Sequence, residues 1–535
     1  MDKKELLKRY FPDVDDFRGV QESAIDAVVE GNKVLCLMPT GGGKSLIYQI
    51  AGLCVGKATL VISPLVALMS QQNKQMTALG LSSVSFAGMD YRKQFRTITD
   101  MATGILPKFI FTSPERISND GYLEYVLSLR KEDIGLVVID EVHCVSQWGE
   151  GFRPAYRNIP QFLNRIFGAG SWPRLLCLTA TLNDAQQKQI VEEFDITKVI
   201  KGDNLWRDNL NLEIINLKDG KEDTKDDELE KIIAKHKDEK ILVFAHRKYG
   251  NKGTTRTLCE KYKDVFDGVA YFDSDMSETD KDNVMQGFID GSIKIVFATS
   301  AFGMGVDISD IRVVVNYLIS ETVEQYYQEV GRGGRDGKPA YGYLLYTNQS
   351  KRGRRMLLNG TLCNKSSLRN EWNDRKLPAG HDFKHVSYET MNEEQRIAFA
   401  LLMDYGVISV VSKGVQTIKC FDGVTKEGKA FLDELSSYSK SGLMMVIAKK
   451  SSKNINSLSL EIWDRCVKGD IRLKLAPSKA IFYTVNKELD DSLIEKILKD
   501  QEEKKAARVA EFEKFVNGIE AGKTAEQLVR EALDI

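Results

Sequence analysis

Residues 34–45 read VLCLMPTGGGKS, an apolar run of strand type that leads into a glycine-rich loop, and helix-like residues 46–53 follow. This strand-loop-helix order decides the fold and disfavours the alternative of a purely structural glycine turn. Glycines let backbone N–H groups turn toward phosphate oxygens, and the N-terminus of a helix adds partial positive charge. Lys44 supplies a cation for the β- and γ-phosphates, and the Ser45 hydroxyl supplies a ligand for Mg²⁺. We predict a phosphate cradle formed by Thr40, Gly41, Gly42, Gly43, Lys44 and Ser45.

Short apolar runs recur on both sides of a charged stretch at residues 218–231, which we expect to be a surface connection. The runs lie at 34–37, 59–62, 109–112, 136–139 and 175–178, and again at 241–244, 269–272, 294–299, 313–317 and 343–346. Such runs are typical of strands buried on both faces of a parallel sheet. Helix-like segments lie between them, so the sequence predicts two α/β units in tandem.

The remaining third of the chain has a different character. A basic run at residues 351–355 and the polar stretch after it predict a linker. Gly414 lies between strand-like segments, which predicts a winged helix whose hairpin near residues 415–418 is a strand-separating wedge; an interaction domain unrelated to unwinding is the alternative. Residues 440–479 hold nine Lys and Arg against three Asp and Glu, a net charge of +6 that fits either duplex phosphates or a solvated face. We divide the chain into a first unit at 1–205, a second unit at 206–348, a linker at 349–390, a winged helix at 391–435 and an accessory basic and helical region at 436–535.

The composition of the chain excludes several classes of protein. Its 535 residues carry 75 Lys and Arg against 76 Asp and Glu, a net charge of −1, and 42% of them are hydrophobic. This balance excludes a collagen, a disordered chain and a strongly basic nucleic-acid coat. The 8 cysteines stand singly, which predicts reduced thiols in an intracellular protein; the sequence does not distinguish a nucleus from a bacterial cytoplasm. The N-terminus shows no secretory signal and no apolar run approaches the ~20 residues that cross a bilayer, so we expect no membrane association.

An acidic pair directly follows the apolar run at residues 136–139. Asp140 is expected to hold the Mg²⁺ shell, and Glu141 to polarise the water that attacks a γ-phosphate. Taken alone, an acidic pair after a strand is typical of a solvated loop. Because a phosphate cradle precedes this pair, we predict that both carboxylates line the same nucleotide site.

Further motifs stand in a fixed order along the chain. They are FRGVQ at 17–21, SPL at 63–65, TSPER at 112–116, TAT at 179–181, ATSAFGMG at 298–305 and QEVGRGGRDG at 328–337. In this order they resemble the motifs of superfamily 2 helicases, and more narrowly those of the RecQ family of DNA helicases. The most specific marker is CVSQWGEGFRPAY at 144–156, which resembles the aromatic-rich loop of that family. The resemblance covers residues 5–346.

The resemblance implies an α/β fold of two tandem RecA-like lobes with parallel sheets, followed by the C-terminal accessory region, and ATP bound in the cleft between the lobes. Gln21 would contact the adenine edge with support from Arg18, and Gln328 would belong to the same nucleotide site. Arg332 and Arg335 would reach from the second lobe to the γ-phosphate as arginine fingers. Closure and reopening of the cleft would move the lobes along one strand.

The resemblance also implies contacts with nucleic acid. Trp148 and Phe152 would stack on unpaired bases with Arg153 between them; the alternative is that both aromatic side chains anchor a core. The phosphates of the strand would be held by three hydroxyl residues for which a helix cap is the alternative, namely Ser63, Ser113 and Thr299.

The sequence departs from the RecQ pattern in several places, among them Glu150-Gly151 in the aromatic-rich loop and the segments at 245–248 and 271–275. The four-cysteine zinc module is missing, and Cys363, His381 and His385 lack a local fourth ligand. His246 lies in a motif that differs from the usual version. We expect it to be a surface residue, since the chemistry needs no histidine base.

We therefore predict an ATP- and Mg²⁺-dependent DNA helicase that moves 3′→5′ on single-stranded DNA and opens tailed or forked DNA. The first alternative is an ATP-driven translocase, or a remodelling or recruitment factor, without processive unwinding. An RNA helicase and a nucleic-acid-binding scaffold with a vestigial ATPase are further alternatives. A protein partner is expected at the C-terminal third.

Overall fold

The computed structural model describes residues 2–39, 41–64, 66–145, 154–180, 182–202, 206–218, 222–303, 308–360 and 363–533. The helices of lobe 1 are α1 (Lys3–Tyr10), α2 (Gln21–Val29), α3 (Lys44–Val55), α4 (Val66–Ala78), α5 (Tyr91–Thr103), α6 (Pro114–Asn119), α7 (Gly121–Leu129), α8 (Ile159–Phe167) and α9 (Asp184–Glu193). Its strands are β1 (Lys33–Leu37), β2 (Ala58–Ile62), β3 (Ser83–Ser85), β4 (Phe109–Thr112), β5 (Ile134–Ile139), β6 (Arg174–Thr179) and β7 (Lys198–Lys201). They form a parallel sheet in the order β3-β4-β2-β5-β6-β1-β7. Every residue of β2 and β5 is buried, as expected for central strands covered on both faces, so the predicted parallel sheet is confirmed.

Lobe 2 repeats this design. Its strands are β8 (Leu210–Asn216), β9 (Lys240–Phe244), β10 (Val269–Phe272), β11 (Ile295–Ala298), β12 (Ile311–Asn316) and β13 (Ala340–Tyr346). Its helices are α10 (Glu222–Lys235), α11 (Thr255–Tyr262), α12 (Glu278–Asp290) and α13 (Val323–Val330). The strands are parallel in the order β10-β11-β9-β12-β13-β8. The two predicted α/β units are therefore present as two lobes.

The rest of the chain forms helices and short antiparallel sheets. The helices are α14 (Asn348–Leu358), α15 (Lys365–Arg375), α16 (Glu393–Asp404), α17 (Lys426–Tyr438), α18 (Met444–Ser451), α19 (Ile455–Lys468), α20 (Asp491–Glu520) and α21 (Ala525–Leu533). The strands are β14 (Lys384–Val386), β15 (Ile408–Val415), β16 (Phe421–Gly423), β17 (Ile471–Leu473) and β18 (Lys479–Val485). We call residues 384–485 the C-terminal module.

The expected surface connection at residues 218–231 is wrong from residue 222 onward, where α10 begins. Lys225 on this helix is buried. Its Nζ lies 3.8 Å from the centroid of the Tyr317 ring and donates to Ser350 Oγ at 2.9 Å. A cation that finds an aromatic face and a hydroxyl can be buried, and composition alone does not show such partners.

The predicted linker at residues 349–390 is also wrong, because α14 and α15 occupy much of it. Arg354 in the basic run is fully buried. Its Nε donates to the carbonyl oxygen of Ile319 at 2.8 Å, and its Nη1 lies 3.8 Å from Glu321 Oε1. The basic run therefore docks α14 on lobe 2 through paired rather than solvated charge.

The hairpin predicted near residues 415–418 is wrong. β15 pairs with β18, which follows much later in the chain, and β18 also pairs with β14. Residues 418–420 form a 3₁₀ turn, and Val415 and Ile418 are buried. The long-range pairing covers the apolar face of β15, which a local two-strand wing would leave partly open to solvent.

The C-terminal module shares one hydrophobic core with lobe 1. At this interface Lys413 Nζ donates to the carbonyl oxygen of Ile117 and to Glu124, each at 2.6 Å. Burial lowers the pKa of Lys413 to about 8, and the Glu124 carboxylate opposes that shift. A Cβ at Gly121 would stand 2.1 Å from the carbonyl oxygen of Lys413, so only glycine permits this approach. The module is thus an integral part of the lobe 1 body.

The basic segment at residues 440–479 is largely paired with carboxylates. Lys453 lies 2.9 Å from Glu461, and Lys468 lies 2.6 Å from Asp464. Lys479 reaches across to lobe 1, where it lies 3.2 Å from the buried Asp120. Much of its net charge therefore serves packing and local ion pairs.

The long helix α20 joins the module to lobe 2. Ile494 and Ile497 pack with residues of the module in a core that is separate from the one shared with lobe 1. Phe512 and Phe515 pack in the core of lobe 2. α20 is the longest helix of the described residues, yet neither it nor any other described helix is both long and apolar enough to span a bilayer.

Candidate nucleotide site

The phosphate loop connects β1 to α3, as predicted. Gly41 and Gly43 have φ values of 77° and 79°, which side chains rarely tolerate. Gln21 is buried against this loop: its Nε2 donates to the carbonyl oxygen of Gly42 at 3.0 Å, and its Oε1 accepts from the backbone N–H of Arg18 at 2.8 Å. Gln21 thus fixes the shape of the loop, and its adenine contact stays a prediction. Thr40 lies outside the described residues.

The acidic pair lies at the carboxyl end of β5, facing the phosphate loop. Lys44 Nζ is 3.5 Å from Glu141 Oε1 and makes no hydrogen bond within the described part of the chain. Ser63 is buried, and its hydroxyl donates to Asp140 Oδ2 at 3.2 Å. The structure therefore places Ser63 behind the acidic pair, whereas a strand phosphate would need an exposed hydroxyl. Glu141 has a φ of 50°, a strained value that is common at functional sites.

The two carboxylates differ in their affinity for protons. Burial, together with the neighbouring Glu141 carboxylate, raises the pKa of Asp140 to about 6. Burial alone would raise the pKa of Glu141, but the Lys44 ammonium, with His143, holds it well below its usual range. Glu141 is therefore ionised at neutral pH and able to accept a hydrogen bond from a water molecule.

His143 connects the acidic pair to the end of β6. Its Nδ1 lies 3.3 Å from Glu141 Oε2 and 3.0 Å from Thr179 Oγ1. Burial would lower the pKa of His143, but Cys144 and Glu141 outweigh it and raise that pKa. The sequence places His143 in the acidic motif and Thr179 in a separate one, and nothing local in the sequence indicates their contact.

The arginines of lobe 2 face the phosphate loop across the cleft. Arg335 Cγ lies 3.3 Å from the point where a Cβ on Gly41 would stand. Arg332 is half-buried, and its Nε makes no hydrogen bond to any described residue. Withdrawal from solvent, followed by the proximity of Arg335, lowers the pKa of Arg332 to about 9, and Glu141 acts in the opposite direction. Arg332 and Arg335, both predicted site residues, therefore lie beside Glu141 and the phosphate loop. Gln328, the third predicted residue of this segment, is half-buried on α13.

Arg207 is a residue of this site that sequence reasoning missed. Its Nη1 donates to the carbonyl oxygen of Gly331 at 2.6 Å, and its Nη2 donates to that of Gly334 at 2.5 Å. These bonds hold the segment that bears Arg332 and Arg335. Because its partners are backbone oxygens far along the chain, no motif marks this arginine.

The expectation that His246 lies on the surface is wrong. It is buried, with its Nε2 3.1 Å from Glu329 Oε1. Glu329 Oε2 also accepts from Ser320 Oγ at 2.8 Å, and the carbonyl oxygen of Glu329 accepts from the backbone N–H of Arg332 at 3.2 Å. Burial alone would raise the pKa of Glu329, but His246 outweighs it and lowers that pKa. A buried polar network therefore supports the end of α13 just before Arg332.

The residues that were predicted to contact a nucleic-acid strand have several different surroundings in the structure. Ser113 caps α6, its hydroxyl accepting from the backbone N–H of Arg116 at 3.2 Å, which is the helix-cap alternative. Thr299 follows β11 at the carboxyl edge of the lobe 2 sheet. The residues predicted to contact unpaired bases lie outside the described residues, namely Trp148, Phe152 and Arg153.

A magnesium ion fits the oxygen ligands of this site. Mg²⁺ is usually held by one or two carboxylates and by substrate phosphates, and Asp140 and Ser45 supply suitable oxygens beside the loop. The buried Nζ of Lys44, which has no hydrogen-bond acceptor in the described chain, is consistent with a phosphate partner. Among the described residues no three His, Cys, Asp or Glu side chains are grouped to bind a metal, so Cys363, His381 and His385 do not form such a group.

The raised pKa of Asp140 makes a prediction about stability. Between pH 3.8 and about 6 the folded chain retains a proton that the unfolded chain has released, so stability from this group falls as the pH rises. Asp140→Asn should therefore raise the melting temperature of the nucleotide-free protein by about 2–4 °C at pH 7.5, and by about half as much at pH 5. Thermal melts at both pH values measure this, with the exposed Asp264→Asn as control. A lower melting temperature at pH 7.5 would contradict it.

Sequence comparison with known proteins finds helicase family models and helicases that are similar to this chain. The model of the DEAD/DEAH box helicase family matches residues 18–190, and that of the helicase conserved C-terminal domain matches residues 224–337. The chain is 32% identical to the ATP-dependent DNA helicase RecQ of Bacillus subtilis over 66% of this chain and 58% of that protein. It is 34% identical to the ATP-dependent DNA helicase hus2/rqh1 of Schizosaccharomyces pombe over 62% of this chain and 25% of that protein. The chain thus spans from a quarter to somewhat over half the length of these relatives.

The fold also resembles that of solved structures. Dbp5 of S. cerevisiae, bound to RNA and ADP BeF3, superimposes with a TM-score of 0.52 at 19% identity, covering 66% of this chain and 90% of that one. At this identity the likeness concerns the fold of the two lobes alone.

Proposed function

Because the chain belongs to the RecQ-like superfamily 2 helicases, with both helicase domains between residues 18 and 337, we propose that it is an ATP- and Mg²⁺-dependent DNA helicase. Its substrates would be single-stranded and tailed or forked DNA, with 3′→5′ movement. The observation that supports this most is the meeting of Arg332 and Arg335 of lobe 2 with Glu141 and the phosphate loop of lobe 1. Such a site is complete only when the cleft is closed, so hydrolysis can be coupled to lobe motion.

Each residue has a distinct role in this proposal. Lys44 neutralises β- and γ-phosphate charge, and the ionised Glu141 orients the attacking water and accepts its proton. Arg332 and Arg335 stabilise the charge that spreads over the transferred phosphoryl group. Asp140 and Ser45 would hold Mg²⁺, which would supply positive charge to offset that of the phosphates.

The experiment for this proposal is ATP hydrolysis by the full chain with matched nucleic acids. Single-stranded DNA should stimulate kcat several-fold, whereas RNA of the same sequence and blunt duplex should have little effect. Lys44→Ala is the control, because it removes the phosphate cation and should abolish hydrolysis under every condition. Equal stimulation by RNA would favour an RNA helicase, and no stimulation by either strand would contradict a strand-dependent motor.

A second candidate is an ATP-driven translocase or recruitment factor that does not unwind processively. The observation that favours it is the burial of Val415 and Ile418, which were the predicted strand-separating wedge. The module that holds them is packed into the lobe 1 core. We propose that its exposed surface binds a protein partner. Strand-stimulated ATP hydrolysis without any displaced strand would favour this candidate.

A further inference from the structure

Tyr249 is the aromatic member of the exposed large hydrophobic side chains of the described residues, with 75% of its surface open to solvent. It lies in the loop at residues 245–253, between β9 and α11. Since β10, β11 and β9 are neighbours in a parallel sheet, this loop shares the carboxyl edge of lobe 2 with Thr299. Ligands of open α/β sheets bind outside this edge.

A hydrogen bond at the hydroxyl group fixes the orientation of the Tyr249 side chain. Its hydroxyl donates to Asp275 Oδ2 at 2.5 Å, and Lys248 Nζ donates to Asp275 Oδ1 at 3.0 Å and to Ser274 Oγ at 2.6 Å. Gly250 has a φ of 138°, so the chain turns away directly after the ring. An exposed ring that is already fixed loses little side-chain entropy when a ligand covers it.

The charges around the ring tolerate a phosphate backbone. Lys248 Nζ lies 5.9 Å from the ring centroid, and Arg247 and Lys252 belong to the same loop. Asp275 pairs with Lys248, and Asp223 pairs with Lys252. Lys248 is the cation beside the open aromatic face, whereas the Arg247 guanidinium is directed toward Gly353 of α14.

We propose that Tyr249 is a stacking platform for an unpaired nucleobase, at which the translocating single strand rests one base on lobe 2. This proposal rests on the proposed function, because it names a binding site for the same strand. An anchored ring with neighbouring cations is the combination that binds single strands without sequence preference. The loop belongs to lobe 2, so the base contact would move with that lobe as the cleft opens and closes.

The test is a double-mutant cycle in which the Tyr249 ring, the bases of the DNA strand, or both are removed and the affinity for the strand is measured. Dissociation constants at fixed salt are measured for an oligo-dT strand and for an abasic strand of the same length, with the unaltered chain, Tyr249→Ala and Tyr249→Phe. Tyr249→Ala should weaken oligo-dT binding about 5- to 100-fold and leave binding of the abasic strand unchanged. Tyr249→Phe keeps the ring but loses its hydrogen bond to Asp275, so it should bind oligo-dT more tightly than Tyr249→Ala and somewhat more weakly than the unaltered chain.

Tyr341→Ala is the matched control, because Lys235 Nζ lies the same 5.9 Å from that ring at the opposite edge of the sheet. It should leave both dissociation constants unchanged. An equal loss on both strands, or no loss with Tyr249→Ala, would overturn the stacking role while leaving the proposed function intact. If the unaltered chain binds neither strand, the proposed function fails and the stacking role with it.

Discussion

Glu141→Gln is expected to reduce kcat for ATP hydrolysis by about 10²–10⁴-fold, the usual range for loss of a general base. The amide has the shape of the carboxylate but cannot accept a proton from the attacking water. The effect should be large because Glu141 is ionised: Lys44 and His143 lower its pKa. Steady-state hydrolysis with saturating single-stranded DNA measures kcat directly.

Binding separates this effect from a loss of structure. The dissociation constants of Glu141→Gln for ATP and for single-stranded DNA should stay close to those of the unaltered chain. Glu192→Gln makes the same charge change at an exposed position of α9 and should leave kcat unchanged. Retention of strand-stimulated hydrolysis by Glu141→Gln would show that another group activates the water.

Arg332→Ala should lower kcat by about 10³–10⁵-fold, the range found when an arginine finger is removed. Arg332 lies in the cleft near Glu141, and its unbonded Nε is available to a phosphate oxygen. Because this contact forms mainly in the transition state, KM for ATP should change far less than kcat. Steady-state kinetics over a range of ATP concentrations give both parameters.

Arg332→Lys sharpens this prediction, because it keeps the charge and removes the planar fork. It should recover only part of the lost kcat. The exposed Arg352→Ala removes an arginine from α14, which docks on lobe 2, and should have no effect. A rise in KM at unchanged kcat would assign Arg332 to ATP binding rather than to transition-state stabilisation.

The features that the sequence predicts well are those encoded within a few residues. The strand before Gly41 and the helix after Lys44 are fixed by local hydrophobicity and glycine, so the phosphate loop is found in its predicted setting. Asp140 and Glu141 follow a strand whose apolar run marks it as central in the sheet. Parallel sheets bring the carboxyl ends of such strands together, which explains why these residues meet.

The features that the sequence does not predict depend on partners far along the chain. Lys225 and Arg354 are charged residues in polar stretches. Their burial is explained by tertiary contacts, such as those with Tyr317 and Ile319, which the local sequence does not show. His246 is buried for the same reason, since its partner is on α13. The pairing of β15 with β18 likewise joins strands that are separated by residues 416–478, whereas the hydrophobic pattern alone favours a local hairpin.

If ATP hydrolysis in the cleft drives the opening of duplex DNA, a strand-displacement assay measures that coupling directly. The substrates are 3′-tailed, 5′-tailed, forked and blunt duplexes, each with ATP and Mg²⁺, with the unaltered chain and Glu141→Gln. We expect the unaltered chain to open the 3′-tailed and forked duplexes and to leave the 5′-tailed and blunt ones closed, and Glu141→Gln to open none. Strand-stimulated hydrolysis with no displaced strand on any substrate, or displacement by Glu141→Gln, would contradict that coupling.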